Sequence, residues 1–332
     1  MRVGAFLMLL AGLAGCTGTI ADPALPAPVS QPSSAQIAIV TEDIGRFWEA
    51  YDAIRRTDDP ARQIGLLQAL YLDRGTPGLR AFMEAKSYTA QTYVDAIRAY
   101  PKYWDSVRPK TGNVQASLGR VAAYLDRFKQ LYPGLKPASV YFEIGALRSA
   151  GTTLDDKVLI GAEMAMGDPA VDTSQMPQGL QRFFSGYFAS KPADSLDLLI
   201  VHEAVHTQEH GDRKNLLSQA IYEGVADFVA EQVTGRLPDL PYVTYGPAND
   251  AQIRAAFVRD RHANDYSGWL YNGTDNAFGV RDLGYYVGYA ICSRYYAKSP
   301  NKRRAIREMI ELDFADPVAV EAFANRSGYF AD

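Results

Sequence analysis

Apolar positions along most of this chain recur every three to four residues, the spacing of one face of an α-helix. Residues 41–54 place Phe47, Tyr51 and Ile54 on such a face, with Thr41 as a candidate cap. Asp59-Pro60 predicts a second helix with Ile64, Leu67 and Leu70 on one side, and Pro77 a third through Phe82. The period continues over 89–106 and over 114–131, where Leu118, Val121, Leu125 and Phe128 align, until Pro133-Gly134 breaks it. From Ser139 the texture changes. Residues 140–144 and 157–160 read as strands around a Gly- and Thr-rich turn at 151–156, and would form a hairpin or part of a small sheet. Helical patterns then return over 194–205, with Asp194 or Ser195 as cap, over 216–233, around 286–291, and in the tail through Phe323 and Tyr329. The pattern as a whole predicts an α+β fold, predominantly α, with a small sheet preceded by a helical N-terminal region.

The first residues do not belong to this pattern. Arg2 is followed by an apolar run from Ala5 to Ala14, too short to span a bilayer, that ends in Leu13-Ala14-Gly15-Cys16. That ending resembles a bacterial lipobox, which implies lipid on Cys16 and removal of what precedes it. Thr17 after the cysteine favours the outer membrane. The Pro-, Ala- and Ser-rich stretch that follows reads as a solvated tether. The expected organisation is a leader at 1–16, a tether at 17–40, helices at 41–135 and a catalytic region at 136–332. A net charge of −4 without a basic run argues against nucleic acid as a partner. There are two cysteines, so a lipid on Cys16 leaves Cys292 unpaired, in an apolar helical stretch that suits a buried thiol.

Candidate chemistry concentrates at one place. Three of the four histidines fall between 202 and 210, and 202–206 reads His-Glu-Ala-Val-His. On a helix, His202 and His206 lie on one face, about 6 Å apart along the axis, and can share one cation. Glu203 sits beside that cation, placed to take a proton from water. His210 lies about 12 Å along the axis from His202 and about 80° around it, which makes it a surface residue or an outer neighbour of the site rather than a third ligand. The better third ligand is Glu223, on the next helix, if that helix returns antiparallel. Asp227, one turn on, would then accept a histidine N–H. Gly224 between them would let another element approach closely.

His202-Glu203-x-x-His206 followed by Glu223-Gly224-x-Ala226-Asp227-Phe228 resembles the gluzincins, metallopeptidases with a glutamate as third zinc ligand. It is most similar to predicted zinc-protease families of bacterial lipoproteins, including those related to a gliding-motility lipoprotein. The stretches 144–164 and 284–289 resemble them too. The resemblance implies a zincin-like catalytic domain, one Zn²⁺ on His202, His206 and Glu223, and Glu203 as general base in the hydrolysis of a peptide or protein substrate. His206 and Glu223 are slightly closer in sequence than in well-studied gluzincins. A second electrophile is needed for the tetrahedral intermediate; Tyr285 and Tyr289 are candidates, with His262 behind them. Two other readings compete. One is a zincin-like lipoprotein acting as a non-catalytic binding or envelope-assembly factor, and the other is a metal-free protein in which the histidines merely pack. The expected location is the bacterial cell envelope, lipid-anchored, with the domain in the periplasm or at the cell surface.

Overall fold

The N-terminal helices begin where the sequence offers caps or prolines. In the computed structural model, which describes residues 38–331, strand β1 (Ala38–Val40) leads into α1 (Glu42–Ile54), and Asp59 caps α2 (Pro60–Leu67) through the Ala61 N–H at 3.0 Å. A π-helical turn (Gln68–Leu72) extends α2, and Thr76 caps α3 (Pro77–Lys86). Thr41 precedes α1 as expected, but its side chain makes no capping bond. The helical pattern of 89–106 is divided by Pro101 into α4 (Ala90–Ala99) and α5 (Pro101–Thr111), and α6 spans Val114–Leu131. The expected leader, Cys16 and most of the tether lie outside the described residues. Residues 38–40, grouped with the tether by position, are instead a strand, because Ile39 and Val40 are β-branched and find a partner.

The sheet holds β2 (Ser139–Glu143), β3 (Gly151–Leu154) and β4 (Lys157–Gly161) with β1, in the order β1-β2-β4-β3. The two expected strands are therefore parallel neighbours, with Ser139 opposite Lys157, and do not form a hairpin with each other. The hairpin is β3–β4, closed by Asp155-Asp156 with Asp155 in the left-handed region at φ 52°. Gly151-Thr152-Thr153 reads as a turn by composition, yet it pairs as the antiparallel edge strand.

After a single turn α7 (Ala162–Ala165) the chain is helical: α8 (Gln178–Ala189), α9 (Leu196–His206), α10 (Leu216–Thr234), α11 (Pro241–Ala248), α12 (Asp250–Asp260), α13 (Leu283–Lys298), α14 (Lys302–Ile310) and α15 (Pro317–Ser327). The fold is α+β and predominantly α. The N-terminal helices pack on the sheet through buried aromatics. The Tyr71 hydroxyl donates to the Ile144 carbonyl at 2.7 Å and the Tyr103 hydroxyl to the Glu163 carbonyl at 2.7 Å. One hydrophobic core runs from Ile44 to Tyr329. Helix α9 lies against β3 and β4 on one side and α10 on the other, which fixes it from both sides. Among the described residues no helix is long and apolar enough to cross a membrane.

Candidate metal centre

Helix α9 is buried on nearly every side, with Leu199 and His206 its partly exposed residues and the His206 side chain itself only 6% exposed. Neither Asp194 nor Ser195 caps it. A 3₁₀ turn (Pro192–Ser195) leads in, and Arg236 holds that turn through the Asp194 carbonyl at 3.0 Å and the Asp197 carboxylate. Asp197 is itself buried in the first turn, where the helix dipole favours an acid.

His202 and His206 turn their rings toward each other, with Nε2 atoms 3.1 Å apart. Glu223 Oε2 lies 3.3 Å from the first and 3.4 Å from the second. His202 also meets Asp227, so rising numbers on α9 meet falling numbers on α10, and the two helices are antiparallel as expected. Four-coordinate zinc with bonds of about 2.0–2.1 Å requires donor atoms about 3.3–3.4 Å apart. The triangle of two imidazole nitrogens and one carboxylate oxygen matches one face of that tetrahedron. Among the described residues this is the group of His, Cys, Asp or Glu donors close enough to share one metal ion.

The outer nitrogen of each ring has its own acid. His202 Nδ1 is 2.8 Å from Asp227 Oδ1, and Asp227 Oδ2 accepts from the Tyr242 hydroxyl at 2.7 Å. His206 Nδ1 is 2.6 Å from Glu209 Oε2. In the neutral rings those bonds place the proton on each Nδ1 and leave each Nε2 lone pair for a cation. Burial alone would lower the pKa of both rings. For His202 the hydrogen bonds to Asp227 and Glu223 outweigh it and hold the pKa well above the usual value. For His206 the charges of Glu209 and Glu223 outweigh it and raise the pKa to about 9. Burial likewise opposes ionisation of Glu223, but the two imidazoles hold its carboxyl well below the usual range. The acids around the two rings favour their protonated form, so a cation that binds at both Nε2 atoms displaces protons from them.

Glu203 sits beside this triangle, buried, with Oε2 accepting from Thr153 Oγ1 of β3 at 2.9 Å. Gly151 lies directly against it, since a Cβ there would be 3.1 Å from Glu203 Oε1. A cleft of about 350 Å³ opens alongside, lined by Gly151, Leu199, Tyr242 and Tyr285 and by Phe183 and Tyr187 of α8.

The two tyrosines of α13 part company. Tyr285 stacks on His202 with ring centroids 6.2 Å apart and reaches the cleft. Tyr289 donates to Glu231 at 2.7 Å and packs on Phe228, away from the histidines. Between the two tyrosines, Gly288 sits at the close crossing of α13 and α10, where a Cβ would lie 1.7 Å from the Ala220 carbonyl oxygen. His210 is exposed and pairs with Asp313 at 3.8 Å, and His262 lies at the surface beside Arg261. Cys292 is buried and free. Sequence reading missed Thr153, Glu209, Tyr242, Gln219 and Tyr271. Glu209, one turn beyond His206, carried a local signal, whereas the others arrive from elements distant in sequence.

The arrangement could hold one divalent cation, with the Glu203 carboxylate outside the ligand triangle, as a candidate metallohydrolase site would. Residues 183–316, from α8 past α14, match the model of a family described as "Predicted Zn-dependent protease (DUF2268)", and over that span the expected family resemblance holds. No curated protein and no solved structure matches the chain.

Proposed function

We propose that this protein is a zinc-dependent peptidase of the gluzincin kind, with zinc held by His202, His206 and Glu223. The observation that carries this reading is the convergence of those three donor atoms next to a carboxylate that is not one of them. Zinc in such a site supplies Lewis acidity, making a water more acidic and a carbonyl more electrophilic. The rest is the work of the chain. Glu203 takes the proton of the attacking water and passes it to the leaving amine. Thr153 holds the Glu203 carboxylate toward the cleft, while Asp227 and Glu209 fix the imidazole tautomers. The outer edge of β3 can pair with an extended peptide, and the cleft beside Leu199 and Tyr285 can take a side chain next to the scissile bond.

We further propose that lipid on Cys16 holds the domain at a bacterial envelope membrane, with the outer membrane favoured. The support is the 13–16 sequence and the Pro-rich stretch after it. Fractionation tests this part: Cys16→Ser is expected in the soluble fraction, and membrane retention of that variant would refute it.

Glu203→Gln tests the catalytic reading. The variant is expected to keep its zinc and lose at least about 100-fold in peptide turnover, as removal of a general base does. Turnover at the wild-type rate would refute peptidase chemistry at this carboxylate. Unimpaired cell function in a zinc-loaded, inactive variant would instead favour a binding or assembly role.

A further inference from the structure

The two oxygens of the Glu223 carboxylate have different surroundings. Oε2 faces both histidines. Oε1 faces away from them and accepts two hydrogen bonds, from the Tyr271 hydroxyl and from Gln219 Nε2 at 3.2 Å. Gln219 Nε2 also donates to the Tyr271 oxygen at 2.8 Å, so the three groups form a closed ring. Donors and acceptors balance in it. The amide uses one N–H on each partner, and the phenol accepts one bond and donates one.

Each member is held in place independently. Gln219 lies one turn before Glu223 on α10 and is buried. Tyr271 comes from the long segment between α12 and α13, with its backbone in the left-handed region at φ 56°, a conformation disfavoured for tyrosine. Both its neighbours are fixed. Leu270 is buried against Gly284, and Asn272 Oδ1 accepts the Asp282 N–H at 2.8 Å. More than half of Tyr271 stays exposed, so apolar burial does not account for the strained backbone. What the strain achieves is contact between a phenol and the one carboxylate oxygen that points away from the metal-binding triangle.

We propose that Tyr271 and Gln219 are positioning residues that make Glu223 a one-oxygen ligand. A carboxylate free to swing would offer both oxygens to the cation and fill a position that substrate needs. With Oε1 engaged by two donors, Oε2 alone is presented. The inference rests on the metal reading above and deepens it, because it assigns the cation's coordination number to a segment with no recognisable motif.

The test uses the whole protein as wild type, Tyr271→Phe and Gln219→Leu. Zinc affinity is measured by competition with a chromogenic chelator, and the visible absorption is recorded after loading with Co²⁺. Loss of an outer hydrogen bond to a metal ligand is expected to weaken zinc binding about 10–100-fold in each variant. The Co²⁺ bands are expected to weaken as four-coordinate geometry gives way to a higher number. Unchanged affinity with unchanged spectra would overturn the inference while leaving the metal site intact. Weaker binding with a wild-type Co²⁺ spectrum would overturn it too, since the pair would then act on stability alone. A wild-type protein that takes up neither metal would overturn the metal reading itself.

Discussion

Glu163 shows how much a single buried side chain contributes to the cleft. It is wholly inaccessible in α7, just after β4, and its carboxylate accepts the N–H groups of Gly145 at 2.8 Å and Leu147 at 3.3 Å. Those bonds pin the loop that brings Arg148 and Ser149 to the cleft wall. Burial raises its pKa from 4.5 to about 7, against the opposing pull of the backbone N–H groups of Gly145, Glu163 and Leu147. The native state therefore holds a proton here that the unfolded chain has released, so stability falls as pH rises from about 4.5 to 7 and is level beyond. The loss from this group is on the order of 3 kcal/mol. Urea unfolding of the metal-free protein between pH 5 and 8 should show Glu163→Gln with a flatter profile than wild type, by up to one proton. Superimposable profiles would contradict the assignment. At this scale the sequence announces roles only where spacing is local. His202, Glu203 and His206 lie within five residues, and Glu223 and Asp227 one turn apart, whereas Glu163 and Tyr271 have no pattern that distinguishes them from ordinary surface residues.

At the scale of elements the decisive contact is the crossing of α10 and α13. A Cβ on Gly288 would lie 1.7 Å from the Ala220 carbonyl oxygen, and one on Gly224 would lie 2.0 Å from the Gly288 carbonyl carbon. Both clashes are with backbone, which cannot rotate away. Gly288→Ala should cost about 3 kcal/mol or more in denaturant unfolding, because the helices must separate. Gly119→Ala on the exposed side of α6, where nothing lies within 4 Å, should be neutral or gain about 0.5–1 kcal/mol. Equal effects at the two positions would mean that the crossing does not constrain the fold. Helix starts were readable because prolines and caps act within a few residues, as at Asp59-Pro60 and Thr76-Pro77. Strand pairing was not, since β2 and β4 are parallel partners separated by β3, and only tertiary contact makes Gly151-Thr152-Thr153 a strand.

At the scale of the whole molecule, the N-terminal helices and the family-matched segment share one core, and the sheet joins them. Helices α1 and α3 pack on the sheet, β3 brings Thr153 and Gly151 to Glu203, and α10, crossed by α13, backs α9. A motif of five residues is legible in the sequence because its geometry is that of one helix. The cleft is not, because it is assembled from β3, α8, α9, the 238–242 turn and the start of α13. In the proposed function this assembly holds one metal ion beside Glu203. Elemental analysis of the protein purified without added zinc, beside His206→Ala, tests it most directly. About one zinc per chain is expected in the wild type and little in the variant. No metal in either protein, even after zinc is offered, would contradict it.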